Sequence, residues 1–409
     1  SILVTWLLGR AMRPEASAGR RRGLLILGLV FQLGLLVAVK YAGFFFGAFI
    51  DLPKLHLPLG VSFYTFHAIS YLVDVYRQKT PPQKNLLRLG LYLALFPKLV
   101  MGPIVPYHEL EPALAQRTPS VQDVSDGCFR FTIGLAKKAL LADALAGLVT
   151  GIWGDLASLT VLSAWLGLIG YALQLYFDFS GYSDMAIGLG RMLGFRFPEN
   201  FRYPYLCSSI SDFWRRWHIS LGSWFKEYLY FPLGGSRTGT LRTLRNLLLV
   251  WLATGLWHGA SWNYVLWGLY FGVLICLEKL LAPRFRAHPR KGLLAGLYRP
   301  VCLLLAVLGW VLFRAEDLPA AGRYFACLFG GAAGASAQAR LYLHDFWPVL
   351  LLGAVGATPL CAKLAGRLGA KLQPGVRAAV QAVLVLALLA CSTVWLLNGS
   401  FQSFVYFQF

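Results

Sequence analysis

The sequence is poor in charged residues, and acidic residues are the scarcer kind. Charged residues make up 14% of the 409 residues and hydrophobic residues 57%, whereas a soluble domain carries about 25% charged residues. Several apolar runs reach the roughly 18–20 residues that a helix needs to cross a hydrocarbon core. The short alternating strands of an outer-membrane barrel are not found in the sequence. The composition therefore predicts an all-α polytopic membrane protein.

The shortage of acids leaves a large positive charge. The chain has 18 acidic and 38 basic residues, which gives a net charge of +20. The basic residues cluster in loops between apolar runs, as the positive-inside rule describes for cytoplasmic loops. The sequence contains neither a base-reading motif nor a zinc-binding spacing. We therefore expect membrane lipids as partners and exclude nucleic acid.

Several catalytic and metal-binding motifs are also missing. None of the seven cysteines forms a CxxC pair, and most lie in apolar runs, which favours buried small hydrophobes. The chain has no GxSxG, P-loop or HExxH sequence and no EF-hand loop. We therefore expect neither a metal nor a bound cofactor.

The chain begins at Ser1 inside an apolar run, without a Met or a signal-peptide pattern. We therefore expect that one or more N-terminal spans are missing. An arginine-rich loop over 10–22 predicts a cytoplasmic segment. Residues 1–409 are interpreted as a single membrane domain, with the C-terminal 405–409 outside or at the interface.

Apolar runs predict the spans and one interruption. The run over 89–101 and its continuation are broken by Pro97, Pro103 and Pro106, which predicts a re-entrant element. Helices are expected over 129–152 and 159–177. Spans are expected over 23–39, 244–256, 262–280, 301–313, 346–361 and 380–397.

The stretch 211–230 predicts one amphipathic helix capped by Ser209 or Ser211. On such a helix, Trp214, Trp217 and His218 share a face. Arg215 and Arg216 fall on the other side, as in helices that lie at a membrane interface. One interpretation is an interfacial helix with a buried, hydrogen-bonded histidine. The other places His218 in a cavity wall, with an arginine near an anionic donor.

His258 lies between two predicted spans, in the glycine-flanked stretch 255–259. Glycine permits helix breaking and close backbone approach there. An imidazole in an apolar site stays neutral near pH 7, so it can accept a proton from a hydroxyl that attacks a thioester. The alternative is a structural histidine bonded to Asn263 or Ser261.

The glycine-rich stretch 176–195 carries two carboxylates, Asp178 and Asp184. We expect a structural role for both, in ion pairs with Arg191, Arg215 or Arg216. A Ser180–His258–Asp178 triad can be drawn, but no local motif supports it.

The motifs between 57 and 280 resemble the membrane-bound O-acyltransferase (MBOAT) family, in particular its bacterial alginate O-acetyltransferase-like branch. The resemblance rests on the following stretches of this sequence: LPLGVSFYTFHAISYLVDVYR, FPKLVMGPIVPY, QLYFDFSGYSDMAIGLGRMLGF, ENFRYPYLCSSISDFWRRWHISLGSWFKEYLYFPLGG, GLWHGASWNYVLWGLYFG and the terminal YFQF. It implies a multi-span bundle in a bacterial inner membrane, with re-entrant and interfacial helices around a central tunnel. His258 would be the family's essential histidine and His218 its second histidine.

The resemblance also implies a reaction. The donor would be a cytoplasmic thioester, acetyl-CoA or a carrier-protein thioester, and the acceptor an extracytoplasmic polysaccharide or a partner protein. Residues beside the two histidines become candidates for the donor site or tunnel: Trp214, Arg215, Arg216, Trp217, Trp257 and Asn263. The alternative function is a polysaccharide or lipid transporter with a histidine proton relay. Paired discontinuous helices would favour it, and the sequence shows none.

Overall fold

A computed structural model describes residues 1–46, 58–237, 239–287, 293–399 and 404. The described residues form helices and no strand, which confirms the all-α prediction. Contacts divide the chain into two compact units. Unit 1 comprises Ser1–Phe131, Met185–Glu199 and Ser220–Leu233, and unit 2 comprises Thr132–Asp184, Asn200–Ile219 and Gly234–Phe409. The expectation of a single membrane domain stays a prediction.

Unit 1 is organised around helix α4 (Val61–Tyr76), which packs against four other helices, α1 (Ile2–Ala11), α2 (Ala18–Leu36), α5 (Leu86–Ala94) and α7 (Tyr107–Ala115). Tyr71, Tyr92 and Tyr107 are fully buried where these helices meet. The helices of the N-terminal part are α1 Ile2–Ala11, α2 Ala18–Leu36, α3 Ala42–Phe46, α4 Val61–Tyr76, α5 Leu86–Ala94, α6 Phe96–Leu99 and α7 Tyr107–Ala115, with a π-helical turn at Val37–Tyr41.

Two long helical segments each contain residues of both units. The first is α8 Val121–Ala136, which continues through a π-helical turn, Lys137–Ala142, into α9 Asp143–Trp153. The second is α10 Val161–Met192, whose 32 residues include the glycine-rich stretch with Asp178 and Asp184. The helices expected over 129–152 and 159–177 are therefore confirmed.

The remaining helices follow after residue 200. They are α11 Ile210–Trp214, α12 Ile219–Phe225, α13 Thr240–His258, α14 Trp262–Ala287, α15 Leu293–Arg314, α16 Leu318–Leu328, α17 Ala337–Gly356, α18 Leu360–Gly369 and α19 Pro374–Asn398, with a 3-10 turn at Pro204–Leu206 and a π-helical turn at Lys226–Tyr230.

Five helices in the described part of the chain are long and apolar enough to cross a membrane. They are Ala18–Phe44, Val161–Met192, Trp262–Leu281, Gly296–Arg314 and Pro374–Asn398, and α17 with α18, bent by 67° at their junction, would make a sixth. Spans expected over 23–39, 262–280, 301–313 and 380–397 fall within them. Helix α13 covers 244–256 but is not among the five.

Of two further predictions about helix breaks, one is confirmed and one is wrong. The helix interruption expected near Pro97 is present, because α5 ends at Ala94 and Pro97 lies in the short helix α6. The single helix expected over 211–230 is wrong, since it is broken between α11 and α12. The C-terminal 405–409, including the YFQF motif, lies outside the described residues.

Candidate active site around two buried histidines

The break between α11 and α12 brings His218 into a tight turn. His218 has a φ of 47°, in the left-handed region that residues other than glycine rarely adopt. The broken turn forms backbone hydrogen bonds elsewhere: Arg202 N donates to Arg216 O at 2.9 Å, and Ile219 N donates to Asn200 O at 3.0 Å. Strained backbone of this kind concentrates at functional sites.

The same neighbouring segment holds the His218 ring. Nδ1 of His218 lies 3.2 Å from Oδ1 of Asn200, and Nδ2 of Asn200 donates to Oγ of Ser183 at 3.1 Å. Because Oδ1 of Asn200 can only accept, Nδ1 carries the proton and Nε2 keeps its lone pair. Nε2 is buried and has no hydrogen-bond partner in the described part of the protein. It is therefore a ring nitrogen able to accept a proton.

The surroundings keep this imidazole neutral. His218 is 2% exposed, and the Phe179 ring meets it edge to face at 4.7 Å between centroids. Burial lowers the pKa of His218 to about 3 because an apolar environment disfavours the charged form. The ring is a neutral base across the physiological pH range.

A half-buried carboxylate anchors the helix in front of His218. Glu278 accepts hydrogen bonds from the backbone N–H groups of Ile210 and Ser211, at 2.7 and 2.8 Å. Tyr298 donates to the same carboxylate at 2.6 Å. Ser209 also caps α11, as expected, by accepting from Asp212 N at 3.0 Å. Helix α11 therefore has a fixed start.

His258 is the last residue of α13, and close helix packing sets its position. A Cβ at Gly255 would clash with the carbonyl of Tyr264, and one at Gly268 would clash with the carbonyl of Trp251. Helices α13 and α14 therefore approach each other backbone to backbone. The close approach that the sequence predicted around 255–259 is confirmed.

Aromatic rings surround His258. Its ring centroid lies 4.9 Å from Trp257, 4.9 Å from Trp267 and 5.2 Å from Phe313, and the residue is 6% exposed. Trp257 also lies near the other histidine, with 6.2 Å between the Trp257 and His218 centroids. The structure thus brings His218, Trp257 and His258 together.

The neighbouring tryptophans belong to the same apolar core. Trp217 is buried and packs on Trp310 at 4.7 Å between centroids. Trp214 is half-buried and meets Trp251 at 4.7 Å and Trp267 at 5.5 Å. Asn263 is buried and donates to the carbonyl of Ala315 at 2.7 Å, which ties α14 to the end of α15. These contacts show how the three residues are held, and their role toward a donor stays a prediction.

The two arginines pair with a residue of their own turn. Asp212 lies 3.0 Å from Nε of Arg216 and 3.9 Å from a guanidinium nitrogen of Arg215. The Arg215 side chain is 72% exposed, so it is accessible to a ligand. Binding of an anionic donor by Arg215 and Arg216 stays a prediction.

The carboxylates of α10 have partners that the sequence analysis did not expect. Asp178 pairs with Lys138 at 2.7 Å, Lys138 also pairs with Asp143 at 2.7 Å, and Asp184 pairs with Lys137 at 2.6 Å. The arginine partners were the wrong choice, because the π-helical turn after α8 places two consecutive lysines beside α10. Ser180 is buried on the same helix, and its hydroxyl has no hydrogen-bond partner in the described residues.

Sequence reasoning missed Asn200, Ser183 and Glu278. Each acts through a contact between segments far apart in the chain, which periodicity cannot reveal. One signal was present for Asn200, which lies within the ENFRYPY motif. No group of three or more metal-ligating side chains is found within the described residues.

Comparison with known proteins gives the context of this site. The family model described as MBOAT, membrane-bound O-acyltransferase family, matches residues 74–299, more than half of the chain and both histidines. A protein named probable alginate O-acetylase AlgI, from Pseudomonas aeruginosa, is 46% identical over 316 residues, 75% of this chain and 60% of the relative. The chain thus spans about three fifths of the alginate O-acetylases that it matches.

Two further relatives are more distant. The peptidoglycan O-acetyltransferase of Helicobacter pylori is 36% identical over 357 residues, 78% of this chain and 67% of the relative. The teichoic acid D-alanyltransferase of Bacillus subtilis is 29% identical over 249 residues, 56% of this chain and 62% of the relative. Together with the apolar helices, the matches confirm a multi-pass inner-membrane protein: the chain belongs to the membrane-bound O-acyltransferase family.

Proposed function

We propose that the chain is an O-acyltransferase that moves an acetyl group from a cytoplasmic thioester to the hydroxyl of an extracytoplasmic polysaccharide, directly or through a partner protein. The names of the relatives support the reaction class, since they include alginate and peptidoglycan O-acetyl transfer. The observation that carries the proposal is the buried group of His218, Trp257 and His258. Two imidazoles in an apolar setting suit proton transfer without water.

In the proposed reaction, His258 accepts the proton of the acceptor hydroxyl while the hydroxyl oxygen attacks the thioester carbonyl. A C–O bond forms and the C–S bond breaks. The thiolate leaves and takes up the proton, so protons balance over the cycle. His218, held by Asn200 with Nε2 unprotonated, serves as a second proton-accepting group or orients the reactants.

The donor is proposed to be acetyl-CoA, with a carrier-protein thioester as the other candidate. Arg215 is the residue proposed to meet the donor's negative charge, because its side chain is exposed and it precedes His218 by three residues in the chain. Arg216 is more strongly committed to Asp212, so its contribution is expected to be the smaller of the two.

The test is acetyl transfer by the protein reconstituted in liposomes with labelled acetyl-CoA and a panel of alginate, cellulose and peptidoglycan fragments. His258→Gln and His218→Gln are expected to abolish or strongly reduce labelling of the acceptor. His344→Gln is the matched control, because His344 has an 83% exposed side chain on α17.

The outcomes separate the two candidate functions. Full transfer by both histidine variants would overturn the site assignment. Movement of intact polymer across the liposome without consumption of a thioester would overturn the acyltransferase proposal and favour the transporter.

A further inference from the structure

Unit 1 contains a pair of sealed basic side chains that the proposed reaction does not use. Lys98 and His67 both have 0% exposure. Nζ of Lys98 and both ring nitrogens of His67 lack a hydrogen-bond partner within the described residues. Buried polar atoms in folded proteins are nearly always paired. Three unpartnered atoms on two adjacent bases therefore point to a ligand.

The two side chains pack against one aromatic ring. Nζ of Lys98 lies 4.3 Å from the centroid of Tyr92, and the His67 ring meets Tyr92 edge to face at 5.5 Å. The Tyr92 hydroxyl is committed to Ser70 Oγ at 3.0 Å and Val105 O at 2.9 Å. The hydroxyl also donates to the backbone carbonyl of His67 at 3.4 Å. The Tyr92 ring is thus fixed, and its hydroxyl is engaged by groups other than the Lys98 and His67 side chains.

Asp74, the buried carboxylate of α4, already has two partners. Asp74 lies 2.8 Å from Nδ1 of His108 and accepts from the Tyr228 hydroxyl at 2.9 Å. The other titratable groups that act on Tyr92 are Tyr107 and Glu109. Hence none of the described acidic side chains is paired with Lys98 or His67.

The backbone holds Lys98 in this buried position. Gly60 has a φ of +74°, and a Cβ there would clash with the carbonyl of Leu99. A Cβ at Gly102 would clash with the Cα of Lys98 itself. Pro97 lies in the first turn of α6. The two glycines therefore allow close backbone packing on both sides of Lys98.

Two neighbouring bases in an apolar site cannot both be charged. Burial lowers the pKa of Lys98, and burial together with the nearby Lys98 lowers the pKa of His67. A neutral amine can accept a proton, and a neutral imidazole can donate one N–H hydrogen bond. A carboxyl group complements both, because it can supply a proton and then accept two hydrogen bonds.

We propose that Lys98 and His67 form an internal receptor for one small carboxylic acid. The acid transfers its proton to the Lys98 amine, and the carboxylate then accepts hydrogen bonds from Lys98 and His67. One O–H bond breaks and one N–H bond forms, so the occupied site has no net charge. A paired, hydrogen-bonded ion pair is the form in which charges are tolerated in a protein interior.

The ligand class is a small carboxylic acid. Both side chains are sealed from solvent, so the ligand must enter uncharged, and a small carboxylic acid can do so as the neutral molecule. A phosphate or a nucleotide keeps its charge near pH 7, and a sugar chain is too large. Acetate is therefore the probe of choice.

The first test uses the unmodified protein in detergent and measures acetate affinity by calorimetry from pH 6 to 8. Above pH 6 free acetate is almost wholly ionised, so each bound acetate takes one proton from solution. The affinity is expected to fall about tenfold for each pH unit, with uptake of about one proton per acetate. Acetamide, which has the same shape without the acid, is expected not to bind. Affinity that is independent of pH, or equal binding of acetamide, would overturn the proposal.

The second test compares variants that keep the length of the side chain. Lys98→Met is expected to lose acetate binding, and His67→Phe to weaken it about tenfold. Lys79→Met is the matched control, because Lys79 is a partly exposed lysine of the same unit that pairs with Glu227. Unchanged acetate binding by a folded Lys98→Met protein would contradict the proposal. Acetyl transfer is measured separately in each variant, because acetate binding at this site and the proposed transfer reaction can be disproved independently of each other.

Discussion

The two histidines of the candidate site differ in the contacts that the structure describes around them. His218 sits in a strained turn that backbone hydrogen bonds to residues 200 and 202 hold, and its Nδ1 donates a hydrogen bond to Oδ1 of Asn200. His258 ends a regular helix, and the faces and edges of three aromatic rings surround it. The hydrogen bond at His218 determines the tautomer of its ring, whereas the aromatic rings around His258 give that ring an apolar environment.

This difference suggests a division of labour. A hydrogen bond to Nδ1 determines which nitrogen carries the proton, so His218 is preset as a proton acceptor at Nε2. We infer that His218 holds a fixed orientation, while His258 remains the group proposed to receive and return the proton.

The largest effect is expected when His258 is replaced. His258→Gln should lower the rate of acetyl transfer by about 10²–10⁴-fold, the range typical of a general base. If the two histidines act as one unit, the His218→Gln/His258→Gln double variant should lie within about tenfold of the worse single variant. Rates of label transfer at saturating donor measure this comparison. Losses that multiply would show that the two histidines act independently.

Much of the scaffold around this pair could be predicted from the sequence, because apolar runs and glycine spacing are local signals. Four of the predicted spans, the helix break near Pro97 and the close approach at Gly255 were correct. The break at His218 was not, because the 211–230 pattern satisfies one helix. The helix is interrupted where backbone groups of residues 216 and 219 form hydrogen bonds with residues 202 and 200 instead of within the helix. These partners are distant in sequence, so the local pattern does not reveal them.

Local sequence patterns likewise could not identify the ion-pair partners of the α10 carboxylates. Sequence distance gave no reason to prefer Lys137 and Lys138 over the arginines for Asp184 and Asp178. The π-helical turn that presents both lysines is a one-residue irregularity, and hydrophobic periodicity does not register it. Contacts made by such irregularities, and by Asn200 with His218, require the folded structure.

An intermediate effect is expected at Asn200, the residue that distinguishes the two histidines. Asn200→Leu removes the acceptor for Nδ1, so the preset tautomer is lost and transfer should fall about 10–100-fold. Asn200→Asp keeps the acceptor and adds a negative charge, which should raise the pKa of His218. The acid limb of the kcat/KM profile should then move to higher pH. A purely structural role for Asn200 would lower the yield of folded protein in both variants without moving that limb.

The smallest effect concerns stability rather than rate. The folded protein holds His218 at a pKa of about 3, whereas an unfolded histidine has a pKa of about 6.5. Below pH 6.5 the unfolded chain therefore binds more protons, and the stability contributed by His218 is lost as the pH falls. From pH 7 to 5, the unmodified protein should lose about 2 kcal/mol more of its free energy of unfolding than His218→Gln does.

Unfolding in detergent at the two pH values measures this difference, with His344→Gln as the exposed control that should behave like the unmodified protein. All three proteins carry the same carboxylates, so the effect of carboxylate titration on the free energy of unfolding cancels in the comparison. Equal losses in the His218→Gln and unmodified proteins would mean that the buried turn accommodates a charged imidazole. The hydrogen bond that Nδ1 of His218 donates to Asn200 would then not keep the ring neutral, because a charged imidazole donates it equally well.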